Sequence, residues 1–588
     1  MAGNAEVTPK ARENPLKAGA VASGALRIYG FLSLFPLLSL VLLLAAQVAF
    51  TFDARSLWYS DEVRYANAFQ NMVEGGHWIV LRLNDDFYPD KPPGYFWFLA
   101  LLRHIPGLKL IGAGGLPGLF FFASAVSGLF CLLAAYAMAR LVAGLDRRGS
   151  LAAGIILLSG FYFSGLLHYL RMDVLFAASI TLAQVLLFRA LVRERAYGLM
   201  AAGFIAAGAA ALIKGPLGLA FPLLSAVLFL GWQGRFRRLF RLDFLIGGLL
   251  GLAIPVAWLF MAWDSAGRIF IDDILNRQIA ARALDAWHHR EPWYYYFLAF
   301  PLIWLPWTFL LFLPPWGEFF KKENLMALWR SRAGADAGQA YIWTAFLGGF
   351  ALLSIVSTKI AVYGLPLFPP LAVLSAKSLL NLSAGASKTL QKALGVMFLA
   401  LSAILFIVPL LPAELFQTPV TPQGLHIAGG VALAAACAVA FLPDLRSEGL
   451  LLVMALFTIA FSYPVWSISA PSLDAFMSPR AQAEKLGRFR EAGYYPGTYK
   501  VYDGTYSFYC GGAVHQLRQW SEVEQAIAEQ PKIVLALRAS FWDGLEEKPA
   551  GFEEIDRQRI VERHYVLVAR PVTPEKGPVN AQSPAGPH

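Results

Sequence analysis

The sequence has 588 residues, of which 57% are hydrophobic and only 15% are charged. Soluble domains carry roughly 25% charged residues, so this composition excludes an ordinary soluble protein and favours one with many membrane-spanning helices. The net charge of +10 does not indicate a nucleic-acid partner, because the Lys and Arg residues cluster in short loops between apolar runs. Three cysteines are too few for a disulfide framework, and their spacing does not predict structural zinc.

The apolar runs predict a polytopic α-helical membrane protein with 13 spanning helices. Residues 1–28 are polar and basic and predict a cytoplasmic tail, followed by a retained first helix rather than a cleaved signal peptide. Each run is long enough, or nearly so, for a hydrocarbon core of about 30 Å. The predicted spans are 29–50, 117–140, 150–167, 174–192, 198–213, 216–232, 244–263, 294–314, 340–357, 361–380, 393–412, 425–443 and 448–468. The segment 94–105 is too short to span and predicts an interfacial or re-entrant helix.

The distribution of basic residues supports this count. With a cytoplasmic N-terminus, the clusters of Lys and Arg all fall in loops on the cytoplasmic side, as the positive-inside rule requires. One missed helix would break the alternation from that point onward. The opposite loops mix acidic and basic residues close to helix ends, which predicts a polar site on the outer face of the membrane.

The composition changes after residue 469 and predicts a small α/β domain over 470–570 on the outer side. Residues 479–492 have helical character, and Ser521 with Glu524 predicts a capping box that opens a second helix. Strand-like runs follow the first helix at 500–502, 514–517, 533–537 and 565–569. The tail 571–588 is rich in Pro, Gly and Ser and predicts disorder. The segment 29–469, with its first outer loop at 51–116, is then the transmembrane region.

The first outer loop opens with an acidic pair, Asp61 and Glu62, and Arg64 and Tyr65 share the next helical turn. Two interpretations stay open. Acids at a helix start are stabilised by the positive end of the helix dipole. Alternatively, a carboxylate beside the membrane acts as a general base or an electrostatic anchor, because ionisable groups near membrane depth are usually functional.

The same loop ends in a rigid cationic turn that contains Tyr88, Asp90 and Lys91 before two prolines. The prolines restrict the backbone, and they disfavour helix at the residue before them. A lysine held in such a turn is a suitable point charge for a phosphate group. The alternative is a lysine that extends from a helix-breaking turn toward water.

Three more outer turns carry charged residues. They contribute Arg171 and Asp173, Lys214, and Lys359 with Tyr363 at an i, i+4 spacing that predicts one helix face. Arg171 and Asp173 could pair with each other, and Lys and Tyr are common interface anchors. Together with Lys91, however, these turns place four cations on the side where few are expected. We therefore predict that they hold a phosphate or pyrophosphate.

A metal site is a weaker interpretation. His288 and His289 lie in the long outer loop, but adjacent histidines do not share a face in regular structure. A divalent metal therefore stays an alternative that the sequence does not support, and we assign no other cofactor.

These motifs, in this order and on this side of the membrane, resemble the polyprenyl-phosphate-dependent membrane glycosyltransferases of the GT-C type. The resemblance is greatest to the aminoarabinose lipid A transferase-like enzymes and their relatives, the protein O-mannosyltransferases. The matching segments are SDEVRYA at 60–66, GGHWIVLRLN at 75–84, YPDKPPGYFW at 88–97, RMD at 171–173, KGPLGLAFP at 214–222 and TKIAVYGLPLFPPLA at 358–372.

The resemblance implies a multi-pass protein of a bacterial inner membrane with a cytoplasmic N-terminus and a periplasmic C-terminal domain. It implies transfer of a sugar from an undecaprenyl-phosphate carrier to lipid A, another cell-envelope glycan or a protein. Asp61 and Asp173 match acidic positions of the family and are the candidate catalytic residues. The candidate donor-phosphate ligands are Lys91, Arg64, Tyr88, Lys214, Lys359, Tyr363 and Arg171, and the further candidates are Glu62, Tyr65 and Asp90, which stands where these enzymes usually have Glu.

The hypothesis for the reaction is a direct displacement at the anomeric carbon with inversion. Cations would stabilise the departing lipid phosphate, and Asp61 would activate a hydroxyl acceptor. The alternatives are a flippase or transporter of lipid-linked glycans and a glycan polymerase. A transporter predicts inverted repeats and ionisable groups at the bilayer midplane, whereas this sequence places them at helix ends on one face.

Overall fold

The computed structural model describes residues 15–276, 291–313, 321–330, 332, 336–411, 422–442 and 445–570, without the side chains of 15–23, 325 and 328. Residues 1–14 of the predicted cytoplasmic tail, the histidine pair at 288–289 and the predicted disordered tail at 571–588 lie outside the described residues.

The helices of the described ranges are, in chain order, α1 (Pro15–Leu32), α2 (Pro36–Val48), α3 (Asp61–Glu74), α4 (Gly94–Arg103), α5 (Leu116–Leu141), α6 (Arg147–Leu158), α7 (Phe161–Leu166), α8 (Asp173–Leu191), α9 (Tyr197–Lys214), α10 (Leu217–Trp232), α11 (Leu242–Asp272), α12 (Tyr295–Ile303), α13 (Lys322–Arg330), α14 (Ala337–Ile355), α15 (Phe368–Leu380), α16 (Ala384–Ile407), α17 (Pro422–Phe441), α18 (Ser447–Tyr463), α19 (Ala470–Ser472), α20 (Asp474–Met477), α21 (Arg480–Glu491), α22 (Ser507–Cys510), α23 (Trp520–Glu529) and α24 (Ala539–Asp543). The strands are β1 (Arg82–Leu83), β2 (Asp86–Phe87), β3 (Tyr495–Tyr499), β4 (His515–Leu517), β5 (Ile533–Arg538), β6 (Glu553–Ile560) and β7 (Arg563–Ala569). The 3₁₀ segments are Leu108–Ile111, Phe236–Phe240, Trp307–Leu311, Ala361–Leu367 and Val408–Leu410, and Pro464–Ser469 forms a π-helix.

Nine helices of the described ranges are long and apolar enough to cross a membrane. They coincide with nine of the 13 predicted spans, and they involve α5, α8, α9, α11 and α14 to α18 with their 3₁₀ and π extensions. A bent pair formed by α1 and α2 would be a tenth span. The many apolar helices confirm a multi-pass membrane protein, and the count of 13 stays a prediction.

The other four predicted spans are interrupted or short, and proline explains most of these breaks. The first predicted span is broken before Pro36, where the two helical parts meet at 103°. Proline cannot donate the helical hydrogen bond and disfavours helix at the preceding residue, and Phe35 is indeed non-helical. The span predicted at 150–167 breaks at Ser159 and Gly160, the span at 294–314 breaks around Pro306, and α10 has 16 residues.

The chain divides into two compact units, and the division cuts through the first outer loop. The first unit comprises Met1–Arg55, Gly76–Leu81 and Phe87–Ser472, and it contains every apolar spanning helix of the described ranges. The second unit comprises Ser56–Gly75, Arg82–Asp86 and Leu473–His588. The helix α3 of the first outer loop therefore forms one compact unit with the C-terminal region.

The second unit is built around a five-stranded mixed sheet in the order β4-β3-β5-β7-β6. β3 is parallel to β4 and β5, whereas β7 is antiparallel to β5 and β6. Successive strand residues face opposite sides of a sheet, so β5 contributes Val534 and Ala536 to one core and Ile533, Leu535 and Leu537 to the other. Helix α21 packs on the first side and α23 on the second, which gives three layers.

Candidate functional site

A buried carboxylate at the start of α8 organises the charged residues of the first unit. Asp173 is 2% exposed. Arg171 Nε donates a hydrogen bond to Asp173 Oδ2 at 3.2 Å, and the Lys214 ammonium pairs with Oδ1. A carboxylate at this position also lies at the positive end of the helix dipole. The sequence alternative that Arg171 and Asp173 pair with each other is therefore confirmed, with Lys214 as a second cation.

The turn between α9 and α10 presents Lys214 to this carboxylate. Lys214 is the last residue of α9, and Gly215 follows at a φ of +96°, a backbone conformation that a side chain would strain. The next residue, Pro216, precedes α10. The Lys214 ammonium also lies over the ring of Tyr363, 4.2 Å from the ring centroid, in cation–π geometry.

The turn that carries Lys91 is held against the same end of α9. Tyr88 N donates to Leu81 O at 2.8 Å just before the turn. After the turn, α4 begins at Gly94, where an added Cβ would lie 2.7 Å from the carbonyl oxygen of Leu212. Lys91 is one of the three cations whose charges act on Asp173. We call Lys91, Arg171, Asp173 and Lys214 the cation cluster.

Gly94→Ala is expected to lower the thermal unfolding temperature in detergent, because the new methyl group meets backbone rather than a side chain that can move. Overpacking of this kind costs about 1–3 kcal/mol. Gly248→Ala is the matched control, since an added Cβ meets nothing within 4 Å in α11. Equal unfolding temperatures for the two variants would contradict the close approach of α4 to α9.

Lys359 and Tyr363 do not share a helix face, which corrects the prediction. Lys359 precedes the helical segment, because Ile360 is extended and a 3₁₀ helix begins only at Ala361. Lys359 Nζ donates to Glu291 O at 3.0 Å, and the lysine is 3% exposed. Burial lowers the pKa of Lys359, and the nearby Glu291 carboxylate opposes that shift. Tyr363 contacts Lys214 instead.

The structure places Asp61, Glu62, Arg64 and Tyr65 in the second unit, on α3. Glu62 is fully buried, and its carboxylate accepts a hydrogen bond from Trp58 N at 2.7 Å. Asp61, the first residue of α3, is partly exposed. The two acids of the pair therefore differ. The Glu62 carboxylate holds the backbone before the helix, whereas the Asp61 side chain is partly accessible to solvent.

Arg64 and Tyr65 are both buried. Arg64 Nε donates to Asp503 O at 3.1 Å, and its guanidinium lies 4.2 Å from the ring centroid of Tyr502. The predicted phosphate ligand Arg64 thus contacts the C-terminal region of the chain.

The remaining candidates, Tyr88 and Asp90, lie in the first unit beside Lys91. Tyr88 is buried, and Asp90 is partly exposed. In the part of the chain that the structure describes, no group of three or more His, Cys, Asp or Glu side chains could hold a metal ion.

Sequence reasoning missed the residues that fix the turn before Asp173. Arg55 Nη2 donates to His168 O at 2.8 Å, and Ser124 Oγ donates to Tyr169 O at 2.9 Å. The His168 ring stacks on Trp466 of the π-helix, with 4.9 Å between the ring centroids. The one available signal was the position of Arg55, a cation directly after the first apolar run on the side where few are expected.

Comparisons with known proteins find resemblances to membrane glycosyltransferases. Residues 90–263 match the family model described as dolichyl-phosphate-mannose-protein mannosyltransferase. This match includes Lys91, Arg171, Asp173 and Lys214. The predicted resemblance to the GT-C-type glycosyltransferases is confirmed.

Particular relatives are the arabinosyl transferases for undecaprenyl phosphate-alpha-4-amino-4-deoxy-L-arabinose. Enzyme 2 of Pseudomonas fluorescens is 28% identical over 332 residues, which cover 56% of this chain and 53% of the relative. The Pseudomonas aeruginosa enzyme is 29% identical over 371 residues, which cover 60% and 62%. The chain thus spans between about half and three-fifths of the length of these curated relatives.

Solved structures of ArnT from Cupriavidus metallidurans share the fold. The structure bound to undecaprenyl phosphate aligns with a TM-score of 0.69 at 19% identity, over 94% of this chain and 99% of that chain. The apo structure aligns with a TM-score of 0.70 over 94% and 98%.

Proposed function

We propose that this protein is a membrane glycosyltransferase that moves a sugar from an undecaprenyl-phosphate-linked donor to an acceptor on the periplasmic side. The cation cluster is the observation that carries the proposal. Two cations pair with one buried carboxylate and the charge of a third acts on it, and such a concentration of cations suits a phosphate ligand. The relatives named for an undecaprenyl-phosphate-linked sugar add support.

The roles within the cation cluster follow from its contacts. Lys91 is partly exposed in a turn restricted by proline, so we assign it to the donor phosphate. Arg171 and Lys214 are held by Asp173, so we assign Asp173 to positioning these cations rather than to proton transfer. Tyr363 limits the position of the Lys214 ammonium. Lys359, Tyr88 and Arg64 remain proposed ligands from the resemblance.

The reaction that we propose is a displacement at the anomeric carbon. An acceptor oxygen forms the new bond to that carbon, and the bond to the phosphate oxygen breaks, so the electron pair stays on the lipid phosphate. Cations stabilise the charge that develops there, which is usually the largest catalytic effect. A hydroxyl acceptor must lose its proton, and Asp61 is the proposed base. A phosphate acceptor needs no base, and Asp61 would then orient groups.

The sugar and the acceptor are proposed only as classes. The donor sugar is a pentose or a hexose, and the curated relatives favour an aminopentose. The acceptor is lipid A, another envelope glycan or a protein. For the topology we keep the prediction of 13 spans with a cytoplasmic N-terminus and a periplasmic C-terminus.

Binding of undecaprenyl phosphate to the purified protein tests the proposed donor site. Lys91→Gln and Lys214→Gln are each expected to weaken binding by about tenfold or more, because a hydrogen bond to a charged group contributes about 1.5–3 kcal/mol. Lys377→Gln is the matched control, because Lys377 lies at the C-terminal end of α15 and pairs with Asp336. Equal binding by all three variants would contradict the assignment of the cation cluster.

A flippase is separated from a transferase by the fate of the glycosidic bond. The transferase converts a lipid-linked sugar into free undecaprenyl phosphate and a glycosylated acceptor. A flippase moves the same lipid across the bilayer intact. Proteoliposomes that contain the protein, a labelled undecaprenyl-phosphate sugar and lipid A distinguish the two, and translocation without release of undecaprenyl phosphate would overturn the proposal.

A further inference from the structure

Four consecutive backbone amides, those of residues 56–59, lie just before the N-cap of α3, and each donates a hydrogen bond to a residue of a helix. Ser56 N donates to Asp474 Oδ2 at 2.7 Å, and Leu57 N donates to Tyr509 Oη at 2.7 Å. Trp58 N donates to Glu62 Oε2 at 2.7 Å, and Tyr59 N donates to Met477 O at 2.8 Å. A buried backbone amide without a partner destabilises the folded state. These four bonds therefore favour a single backbone conformation for the segment that leads to Asp61.

Three of the four partners come from the C-terminal region, more than 400 residues further along the chain. Ser478 Oγ adds a bond to Leu57 O at 2.7 Å, which satisfies the acceptor side of the same segment. The N–H group and the carbonyl oxygen of Leu57 are therefore both hydrogen-bonded to residues of the C-terminal region.

Asp474 is the central residue of these contacts because both of its oxygens are used. Oδ2 accepts from Ser56 N, and Oδ1 accepts from the indole Nε1 of Trp58 at 2.8 Å. Hydrogen bonds to an ionised acceptor are roughly twice as strong as neutral ones. The Asp474 side chain thus holds both the backbone amide of Ser56 and the indole ring of Trp58.

The far part of α3 is held in the same way. Arg64 donates to Asp503 O, as described above. Asn67 Oδ1 accepts from Asn84 N at 3.0 Å, and the hydroxyl of Ser507 donates to the side chain of Asn84. The helix therefore has anchors before its first residue and along its body.

We propose that the C-terminal domain positions α3, and with it Asp61, and that Asp474 is the positioning residue. The domain then acts as a scaffold for the first outer loop. Reacting groups must be held within about 0.5 Å of their productive positions, and a short loop helix gains that precision from a rigid neighbour. The inference rests on the proposed function, because it assigns a purpose to the position of Asp61.

The experiment measures amide hydrogen exchange and transfer kinetics on the full-length protein for Asp474→Ala, Asp474→Asn and the control Asp543→Ala. Asp543 is an exposed carboxylate of the same region that pairs with Arg557, and exposed pairs contribute little to stability. Asparagine keeps one acceptor oxygen, so Asp474→Asn is expected to fall between the wild type and Asp474→Ala.

In Asp474→Ala, exchange at the amides of 56–66 is expected to rise by about tenfold or more, the effect of losing a charge-assisted hydrogen bond. Exchange in β5 stays unchanged, because that strand pairs with β3 and β7 on both sides. In the transfer assay kcat falls by about tenfold or more, while KM for the donor changes by a smaller factor, since the cation cluster belongs to the first unit and is not altered. Asp543→Ala retains the wild-type values in both measurements.

Two results would overturn the inference, and a third concerns the proposed function alone. Unchanged exchange over 56–66 in Asp474→Ala would show that the anchor does not hold α3. Faster exchange with wild-type kcat would show that the position of α3 has no effect on the reaction. A wild-type protein without transferase activity would overturn the proposed function, and exchange alone would then decide whether the domain holds α3.

Discussion

Asp61→Asn is expected to abolish sugar transfer to a hydroxyl acceptor while membrane insertion and the thermal unfolding temperature stay unchanged. A positioned general base contributes about 10²- to 10⁴-fold to a rate, and the amide of asparagine cannot accept the proton. Asp61 is partly exposed at the start of α3, and asparagine has the same shape, so the packing around the helix is expected to stay intact. The measurement is release of undecaprenyl phosphate from a labelled donor.

Glu62→Gln is the control for Asp61→Asn, because both variants convert an acid to its amide at adjacent positions. The amide oxygen of the new side chain can still accept the hydrogen bond from Trp58 N, so only a small loss of transfer is expected. A fully active Asp61→Asn variant, or an equal loss in both variants, would contradict the assignment of the base to Asp61.

Asp173→Asn is expected to lose transfer activity and stability together. Removing one partner of a buried ion pair costs about 3–5 kcal/mol, because the other charge stays buried without compensation. We expect a smaller cost of about 2–3 kcal/mol here, since the side chains of Arg171 and Lys214 are 22% and 14% exposed. Thermal unfolding in detergent and the donor-release assay measure the two effects.

The double variant Asp173→Asn with Lys214→Met separates the two effects. Residues in one ion pair couple by about 0.5–3 kcal/mol, so the second substitution is expected to restore part of the unfolding temperature. Transfer stays absent, because the cation is gone. If the two substitutions lower stability additively, Asp173 does not hold Lys214.

Most of the membrane architecture followed from hydrophobic length. Nine predicted spans coincide with apolar helices of the described ranges, because a run of about 20 apolar residues has few alternatives to a helix in lipid. Two of the differences arise where a proline lies inside a run, at Pro36 and Pro306. Hydropathy alone gives proline no special weight, although its missing N–H breaks the helix.

The C-terminal domain was harder to predict in detail. The strand β6 was missed, because its sequence EEIDRQRI is charged and it lies at an edge of the sheet. The prediction of a strand at 500–502 was displaced along the chain, because the structure has β3 at Tyr495–Tyr499, directly before those residues. The helix α23 was predicted correctly, but its capping box uses Gln519 and Glu522 rather than Ser521 and Glu524. Short strands and caps depend on neighbours that a local pattern does not contain.

The sequence by itself indicated a multi-pass membrane protein and located most of its apolar helices, because these depend on length and hydropathy. The count of basic residues in each loop predicted the side of the membrane for the charged turns. Tertiary structure alone decided which charges meet. Asp173 pairs with Lys214 from another helix, Lys359 turns to a backbone carbonyl, and α3 joins a domain from the far end of the chain. Such pairings depend on how the chain packs, and spacing along the sequence does not encode them.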